Sequence, residues 1–455
     1  MFGCVLGYNG KEMIEYLKRF RAPYIRIICF CVILFVLAYH AQYYLQYRER
    51  YNDNSSFQVI DFYKEEKNSA DAVFIGSSCC FSFYSPLFAY ESYGIRTLNY
   101  SSSGMGMMAY RYAIEEVRKT QKEVPIILTI TPNYQMEYLG VHFMSDYMPM
   151  SGNKIAFLSR YFTQDGESIL NSIGFYATIM EYHDRWVEME PDDFIIDEGI
   201  KGATRHKYYL STINDITEQY LLSAEKEEMP DQMAYLMNDL LDYCDEKKEN
   251  IIFLLPPRVY SAEQYRQLNT LADLISDRGY DLLDLRDKLE EIGLHTDRDF
   301  YDVSHTNIHG SIKYTDYLLN YLKQHYELHS VEDQGWDKAV EKYHTIIDPY
   351  VLDIETDMTK RDYFLDRPEL LSLVKENDSN ILNWQNVQEA DGYVVYRKTD
   401  SGFEKVYETG DTSFKDEEVN ADMNYTYTVI AYKLENGERV YGDYDYAGLS
   451  LKEGQ

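Results

Sequence analysis

Short apolar runs recur through the middle of the chain, and longer stretches of helical spacing lie between them. Residues 72–75 (AVFI), 125–130 (PIILTI) and 251–255 (IIFLL) are apolar almost without interruption. That is the pattern of parallel strands buried on both faces. Residues 109–120, 230–247 and 261–278 carry apolar side chains at helical intervals and predict the helices of the same region. Strand–helix alternation over 52–326 predicts a doubly wound parallel α/β sheet. Residues 140–225, rich in Tyr, Met and acidic side chains, break the alternation and are expected to form an insertion or cap. Residues 327–375 read as a mostly helical, polar connector containing Trp336.

From 376 to 455 the period changes from helical to alternating. Residues 381–384 (ILNW), 393–396 (YVVY), 403–407 (FEKVY) and 425–432 (YTYTVIAY) read as short strands. Asp391-Gly392, Ser401-Gly402, Gly410-Asp411 and Asn436-Gly437 are turn signals between them. The expectation is an all-β, immunoglobulin-like sandwich. It resembles a fibronectin type III domain in Trp384, in the segment ADGYVVYRK (390–398) and in YTYTVIAY, with Tyr425 at the place of that family's corner tyrosine. Such a domain binds or spaces and carries no chemistry.

At the other end, residues 27–45 hold no formal charge over 19 positions, close to the roughly 20 that a spanning helix needs. Lys11, Lys18, Arg19, Arg21 and Arg26 precede the run; Arg48 and Arg50 follow it. Positive charge stays cytoplasmic, so residues 1–26 are expected inside, 27–45 in the membrane and the remainder outside. Tyr39, Tyr43 and Tyr44 would line the outer interface. A cleaved signal peptide is the alternative, but the run ends in Ala38-Tyr39-His40-Ala41, without an A-x-A-like cleavage site.

Charge narrows the partners. The chain of 455 residues has a formal charge of −32, the opposite of what binding nucleic-acid phosphates needs. Residues 1–50 contain 7 basic and 3 acidic groups, which leaves 37 against 73 in the rest. A body so acidic is expected to stay off anionic headgroups and to be held near the bilayer by its tether alone. Of the 6 cysteines, Cys4, Cys29 and Cys31 lie in or before the first apolar run, so Cys79, Cys80 and Cys244 cannot make a multi-bridge framework.

Candidate chemistry sits in two pieces. In the first, the apolar strand 72–75 runs into Gly76-Ser77-Ser78. A serine at the carboxyl end of a parallel strand faces the crevice where α/β sheets bind ligands. The plainer reading is a serine capping the next helix. About 225 residues later come Asp302-Val303-Ser304-His305-Thr306-Asn307. A serine nucleophile needs a base, usually His, and a carboxylate that fixes the imidazole tautomer. The plainer reading here is a surface loop, with Asn307 capping a helix that starts near Gly310.

Taken together, Gly-x-Ser after the first strand and Asp-x-x-His before the last helix resemble the SGNH/GDSL hydrolase superfamily over about 70–325. The resemblance puts the nucleophile on Ser78, with Ser77 where the family usually has Asp, and the base and its carboxylate on His305 and Asp302. Its second block, matched by residues 99–104 after the second strand, implies Gly104 as an oxyanion donor beside the Ser78 N–H. Its third block, usually Gly-x-Asn-Asp, is reduced to Thr131-Pro132-Asn133. Asn133 is either the last oxyanion donor or a turn residue. His183 and Trp186 either line the acceptor site or form a structural junction. His305 and His309 are four apart, a spacing that suits zinc on a helix, but no Glu follows His305 and Asp302 is already its partner. Neither a metal nor a cofactor is therefore expected. Cys79 and Cys80, adjacent in sequence, are a poor disulfide pair and are expected to be small buried residues.

The reading is a membrane-anchored extracellular SGNH-type serine esterase or O-acyltransferase. Chains of this plan resemble the extracytoplasmic partners of membrane-bound O-acyltransferases, which implies a short acyl group, acetyl first, on a cell-envelope polysaccharide. The alternative is a non-catalytic glycan-binding or scaffold protein that partners such an acyltransferase.

Overall fold

The structure is a computed structural model. It describes residues 10–45, 57–164, 172–187, 189, 199–204, 216, 219–220 and 222–360, and those from 365 to 451 except 377–378, 400–401, 421–424, 436–437, 443 and 446–447. Arg48, Arg50, Ser401 and the Asn436-Gly437 turn lie outside the described residues. The chain divides into two compact units, Met1–Tyr51 with Leu158–Asp197, and Asn52–Phe157 with Glu198–Gln455.

In the larger unit, β1 Ala72–Gly76, β2 Thr97–Ser101, β3 Ile126–Thr129, β4 Ile251–Leu255 and β5 Asp281–Asp284 form one sheet. All its pairings are parallel and its order is β2-β1-β3-β4-β5. Every residue of β1 to β4 is buried, so both faces of the sheet are covered. The chain switches direction across the sheet between β1 and β3, the place where doubly wound sheets open a ligand crevice at their carboxyl ends. The predicted helices are present as Met107–Thr120, Asp231–Lys247 and Ala262–Asp277. The last begins in a capping box, with the Ser261 hydroxyl accepting from the Gln264 N–H and the Gln264 side chain from the Ser261 N–H.

Three expectations need correction. Asn99, Tyr100 and Ser101 do not follow the second strand; they belong to it. Their polar groups hid this, yet Asn99 is buried and donates to the Gly202 carbonyl at 3.3 Å. The 140–225 insertion is not one body. Its first part stays with the sheet, where Asn153 donates to the Tyr112 carbonyl at 2.9 Å and to Glu116 Oε1 at 2.7 Å. Nor are residues 327–375 simply a polar connector. The helix Gln334–Lys360 buries Trp336, Ala339, Tyr343 and Ile347, a stripe at helical spacing. It packs on the helix Pro86–Tyr93, with Trp336 5.2 Å from Tyr90 and Tyr343 5.4 Å from Phe88 between ring centroids.

The all-β region starts before 376, at β8 Leu370–Glu376. With β9 Ser379–Trp384 and β12 Ser413–Asp416, β8 makes a three-stranded sheet in the order β12-β9-β8. The second sheet is β11 Gly402–Thr409, β10 Gly392–Thr399, β13 Thr426–Glu435 and β14 Glu438–Tyr441, with β15 Leu449–Ser450 against β13. Leu382, Trp384 and Phe414 from one sheet meet Tyr393, Val395, Tyr427 and Val429 from the other in a shared core. The Tyr425 hydroxyl accepts the Asn420 N–H at 3.1 Å, the backward bond of a corner tyrosine.

In the smaller unit, the helix Gly10–Leu45 is long and apolar enough over Pro23–Gln42 to cross a membrane. Phe162 and Phe175 pack edge to face at 5.3 Å and are buried.

Candidate active site

Gly76 ends β1, and Ser78 begins the helix Ser78–Phe83. A Cβ on Gly76 would stand 2.8 Å from Cys80 Cβ and 3.0 Å from Thr129 Cβ. Glycine thus allows the turn from strand to helix to close this tightly. Ser77 occupies the N-cap position but makes no side-chain cap bond. As the first helical residue, Ser78 has a backbone N–H with no intrahelical acceptor.

The other half of the site is a small hairpin. β6 Phe300–Asp302 and β7 His305–Thr306 pair antiparallel, with Asp302 opposite His305 across a two-residue turn. This pairing is why the spacing works: cross-strand partners bring their side chains together. With Nδ1 protonated, His305 donates to Asp302 Oδ1 at 2.8 Å and Oδ2 at 2.9 Å. Its Nε2 then accepts the Ser78 hydroxyl proton at 2.8 Å, across 227 positions of sequence. The Ser304 N–H adds a further bond to Asp302 Oδ1 at 2.7 Å.

Fixed backbone contacts hold the hairpin. Thr306 Oγ1 donates to the Ser82 carbonyl, on the helix of Ser78, at 2.6 Å. The Val259 N–H, on the loop after β4, donates to the Val303 carbonyl at 2.9 Å. Buried Asp299 accepts from the His295 N–H and from Lys313 Nζ, both at 2.7 Å. Capping and relay coexist because different residues perform them. Asn307 caps the helix Ile308–His325 by accepting from the Gly310 N–H at 3.2 Å, so the helix begins two residues before Gly310.

Burial works to raise the Asp302 pKa, but the His305 and Ser304 hydrogen bonds and the His305 charge outweigh it and hold the carboxyl below the usual Asp value. The side chains of His305 and Asp302 are 14% and 41% exposed, so the relay borders solvent. Burial pushes the Cys79 thiol up to about 12, against the pull of the neighbouring Arg258 guanidinium, and Cys80 likewise to about 12. Both are buried free thiols, and neither competes with Ser78 as a nucleophile.

The remaining candidates lie on other elements. Gly104 has a left-handed backbone (φ +71°) in the loop after β2, which the bond from Ser102 N–H to the Gly76 carbonyl ties to β1. Asn133 follows β3 as an exposed residue whose carbonyl accepts the Met107 N–H at 2.9 Å. Both loops therefore leave strands adjacent to β1 at the edge that carries Ser78. His183 and Trp186 belong to the smaller unit. There His183 Nδ1 donates to the Met180 carbonyl at 2.9 Å, and Trp186 is 68% exposed. His309 lies in the helix Ile308–His325 and His305 in β7, so the pair shares no helical face. Among the described residues, no group of three or more His, Cys, Asp or Glu side chains is placed to hold a metal. Sequence reasoning missed Thr306 and Arg258. The signal for Arg258 was a lone cation after Pro256-Pro257, at the carboxyl end of β4.

No protein-family profile matches the chain, and no curated protein is significantly similar to it. Part of the chain is similar to the pectate lyase Pel3 of Pectobacterium carotovorum at 25% identity, over 20% of this chain and 28% of that one, with a TM-score of 0.16. The match thus spans under a third of the lyase. FN3tt matches at 19% identity over 17% of this chain and 90% of its own, TM-score 0.14. A Fn3-like protein from Clostridium thermocellum matches at 23% identity over 18% and 88%, also with a TM-score of 0.14. Likenesses this slight bear on neither activity nor substrate, which leaves the chain's own geometry to carry the functional reading.

Proposed function

We propose that the protein is a membrane-anchored serine esterase or O-acyltransferase of the SGNH type, acting on short acyl esters, acetyl first, of a cell-envelope polysaccharide. The observation that carries this reading is the continuous relay from Ser78 Oγ through the His305 ring to Asp302, with each link at 2.8 Å. His305 Nε2 takes the hydroxyl proton as Ser78 Oγ bonds to the ester carbonyl carbon. The tetrahedral oxyanion falls to the Ser78 N–H, the Gly104 N–H and the Asn133 side chain. Losing one such donor typically costs roughly 10²–10³ in rate. Collapse breaks the ester C–O bond, and the leaving alcohol takes the proton from His305. Water in hydrolysis, or a sugar hydroxyl in transfer, then attacks the acyl-serine and gives its proton to His305; collapse breaks the bond between the acyl carbon and Ser78 Oγ, which takes that proton back from His305.

The helix Pro23–Gln42 is the anchor. The basic residues before it favour an inner N-terminus and an extracellular body. The two-sheet sandwich with its corner tyrosine is a fibronectin type III-like module that spaces the body or binds glycan. Partners are the polysaccharide and a membrane-bound O-acyltransferase supplying the acyl group.

Purified full-length protein in detergent, given p-nitrophenyl acetate, tests the chemistry. Turnover that disappears in Ser78→Ala supports it. Absent turnover, or turnover unchanged in Ser78→Ala, overturns it, and glycan binding that survives in that variant then favours the scaffold.

A further inference from the structure

The smaller unit carries a feature that the proposed chemistry does not use. Between the short helices Ile173–Tyr176 and His183–Val187, buried and exposed positions are interleaved. Phe175, Thr178 and Arg185 are buried, while Ile173, Met180, Trp186 and Val187 are 43%, 59%, 68% and 67% exposed. Among them Trp186 and Val187 are neighbours in sequence and each about two-thirds exposed, and contiguous apolar exposure is what marks an interaction site.

Arg185 shows where this stretch lies. Its side chain is 2% exposed, and Nη1 donates to the Leu45 carbonyl at 2.8 Å and the Tyr44 carbonyl at 3.3 Å. These are terminal carbonyls of the helix Gly10–Leu45, whose last turn has no basic residue of its own. A cation there satisfies orphan carbonyls and the negative end of the helix dipole. The apolar window Pro23–Gln42 is 20 residues long and rises about 30 Å, the thickness of the hydrocarbon core. Leu45 lies three residues beyond Gln42, about 4–5 Å along the axis and so within the headgroup layer. Trp186 and Val187 directly follow the arginine bound there.

We propose that residues 173–187 form a second membrane contact, with Trp186, Val187, Met180 and Ile173 seated in the lipid interface around the outer end of the spanning helix. The inference rests on that helix crossing the bilayer. Continuity with the span selects lipid as the occupant, and an indole ring with its apolar body and polar N–H suits that depth. The contact is apolar rather than electrostatic, because residues 158–197 hold 9 acidic and 2 basic groups. It therefore adds to the tether the expectation had left alone, and it is insensitive to salt.

Tryptophan fluorescence of the full chain in phosphatidylcholine nanodiscs tests it. Of the three tryptophans, Trp336 and Trp384 are 3% and 2% exposed, so Trp186 is the one open to lipid. The expected result is a blue-shifted Trp186 component that is quenched when the lipids carry bromine high on the acyl chains. This quenching is lost in Trp186→Phe, returns in Trp186→Phe/Val187→Trp, and is unchanged by 1 M salt. Quenching equal in wild type and Trp186→Phe, or none in either, overturns the proposal. Release of the chain from native membranes by alkaline extraction defeats the spanning helix and this contact together. Retention with Trp186 unquenched defeats the contact alone. A photoreactive side chain at 187 that labels a protein rather than lipid in native membranes assigns the face to a partner and also overturns it.

Discussion

Two carboxylate clusters in this molecule use similar groups to opposite ends. At the edge of the parallel sheet, Asp302 accepts from the His305 ring, and the ring accepts from Ser78. In the sandwich, Asp416 accepts from Arg397 Nη1 and the Tyr427 hydroxyl, each at 2.8 Å, and from the Glu418 N–H at 3.0 Å. Tyr427 in turn accepts from Asn380 Nδ2 at 3.0 Å. The Asp416 side chain is 4% exposed, against 41% for Asp302. One cluster is closed, every oxygen of its acid facing a fixed donor and no substrate able to enter. The other ends in a hydroxyl at the start of the helix that follows β1, with solvent beside its carboxylate. What sets the proposed relay apart is the place of its carboxylate, beside solvent at the carboxyl end of the sheet, rather than its residue type.

Mutation should separate the two along different axes. The largest expected effect is on turnover: Ser78→Ala and His305→Ala each lower it by roughly 10⁴-fold or more, and the double variant loses no more than either single, as residues acting as one unit do. Additive losses in esterase assays would break the relay into independent groups. Asp302→Asn, which leaves the imidazole in the wrong tautomer, lowers turnover by about 10⁴. Asp416→Ala works on the other axis. It removes the carboxylate that faces a mostly buried guanidinium and costs about 3–5 kcal/mol, seen as hydrogen exchange in β10 and β13 faster by roughly 10²–10⁴. Its turnover stays at the wild-type value. A loss of turnover in Asp416→Ala would mean that the sandwich takes part in the chemistry after all.

The two regions also differ in what their sequences disclose. The sandwich was legible because its turns, its alternation and Tyr425 are local signals, and local signals survive being read one residue at a time. In the body, β1, β3 and β4 were legible as apolar runs, and Gly76-Ser77-Ser78 and Asp302–His305 as short motifs. That His305 lies across a hairpin from Asp302, rather than in an open loop, was not, since a three-residue strand has no periodicity to show. β5 escaped for a related reason: Asp281 and Asp284 bracket Leu282 and Leu283 at the sheet edge, and that reads as a turn. The docked face of the helix Gln334–Lys360 was hidden by the charged residues between Trp336, Tyr343 and Ile347. Contacts such as Thr306 to the Ser82 carbonyl join points over 220 residues apart, and no local pattern announces them.

Smaller effects sharpen the comparison further. Gly76→Ala places a methyl against Cys80 and Thr129 and costs about 1–3 kcal/mol by overpacking. Turnover falls with it, because the turn that presents Ser78 moves. Unchanged turnover at reduced stability would show that the serine's position does not depend on this close approach.

The smallest effect is the stability that Asp302 contributes. Its carboxyl is held below the ordinary Asp value by His305 and Ser304 despite burial; that ordinary value is about 3.9. A group whose folded value is depressed stabilises fully above its unfolded value, and that stability is lost as pH falls through the folded value. The difference in unfolding midpoint between wild type and Asp302→Asn should therefore be constant from neutral pH to about pH 5 and shrink below about pH 4. At 41% exposure solvent screens the pair, so the difference stays under about 1 kcal/mol, far smaller than the loss of turnover in the same variant. A difference that grows on acidification would mean that the relay holds its carboxyl protonated, and His305 would then lack the anion that fixes its tautomer.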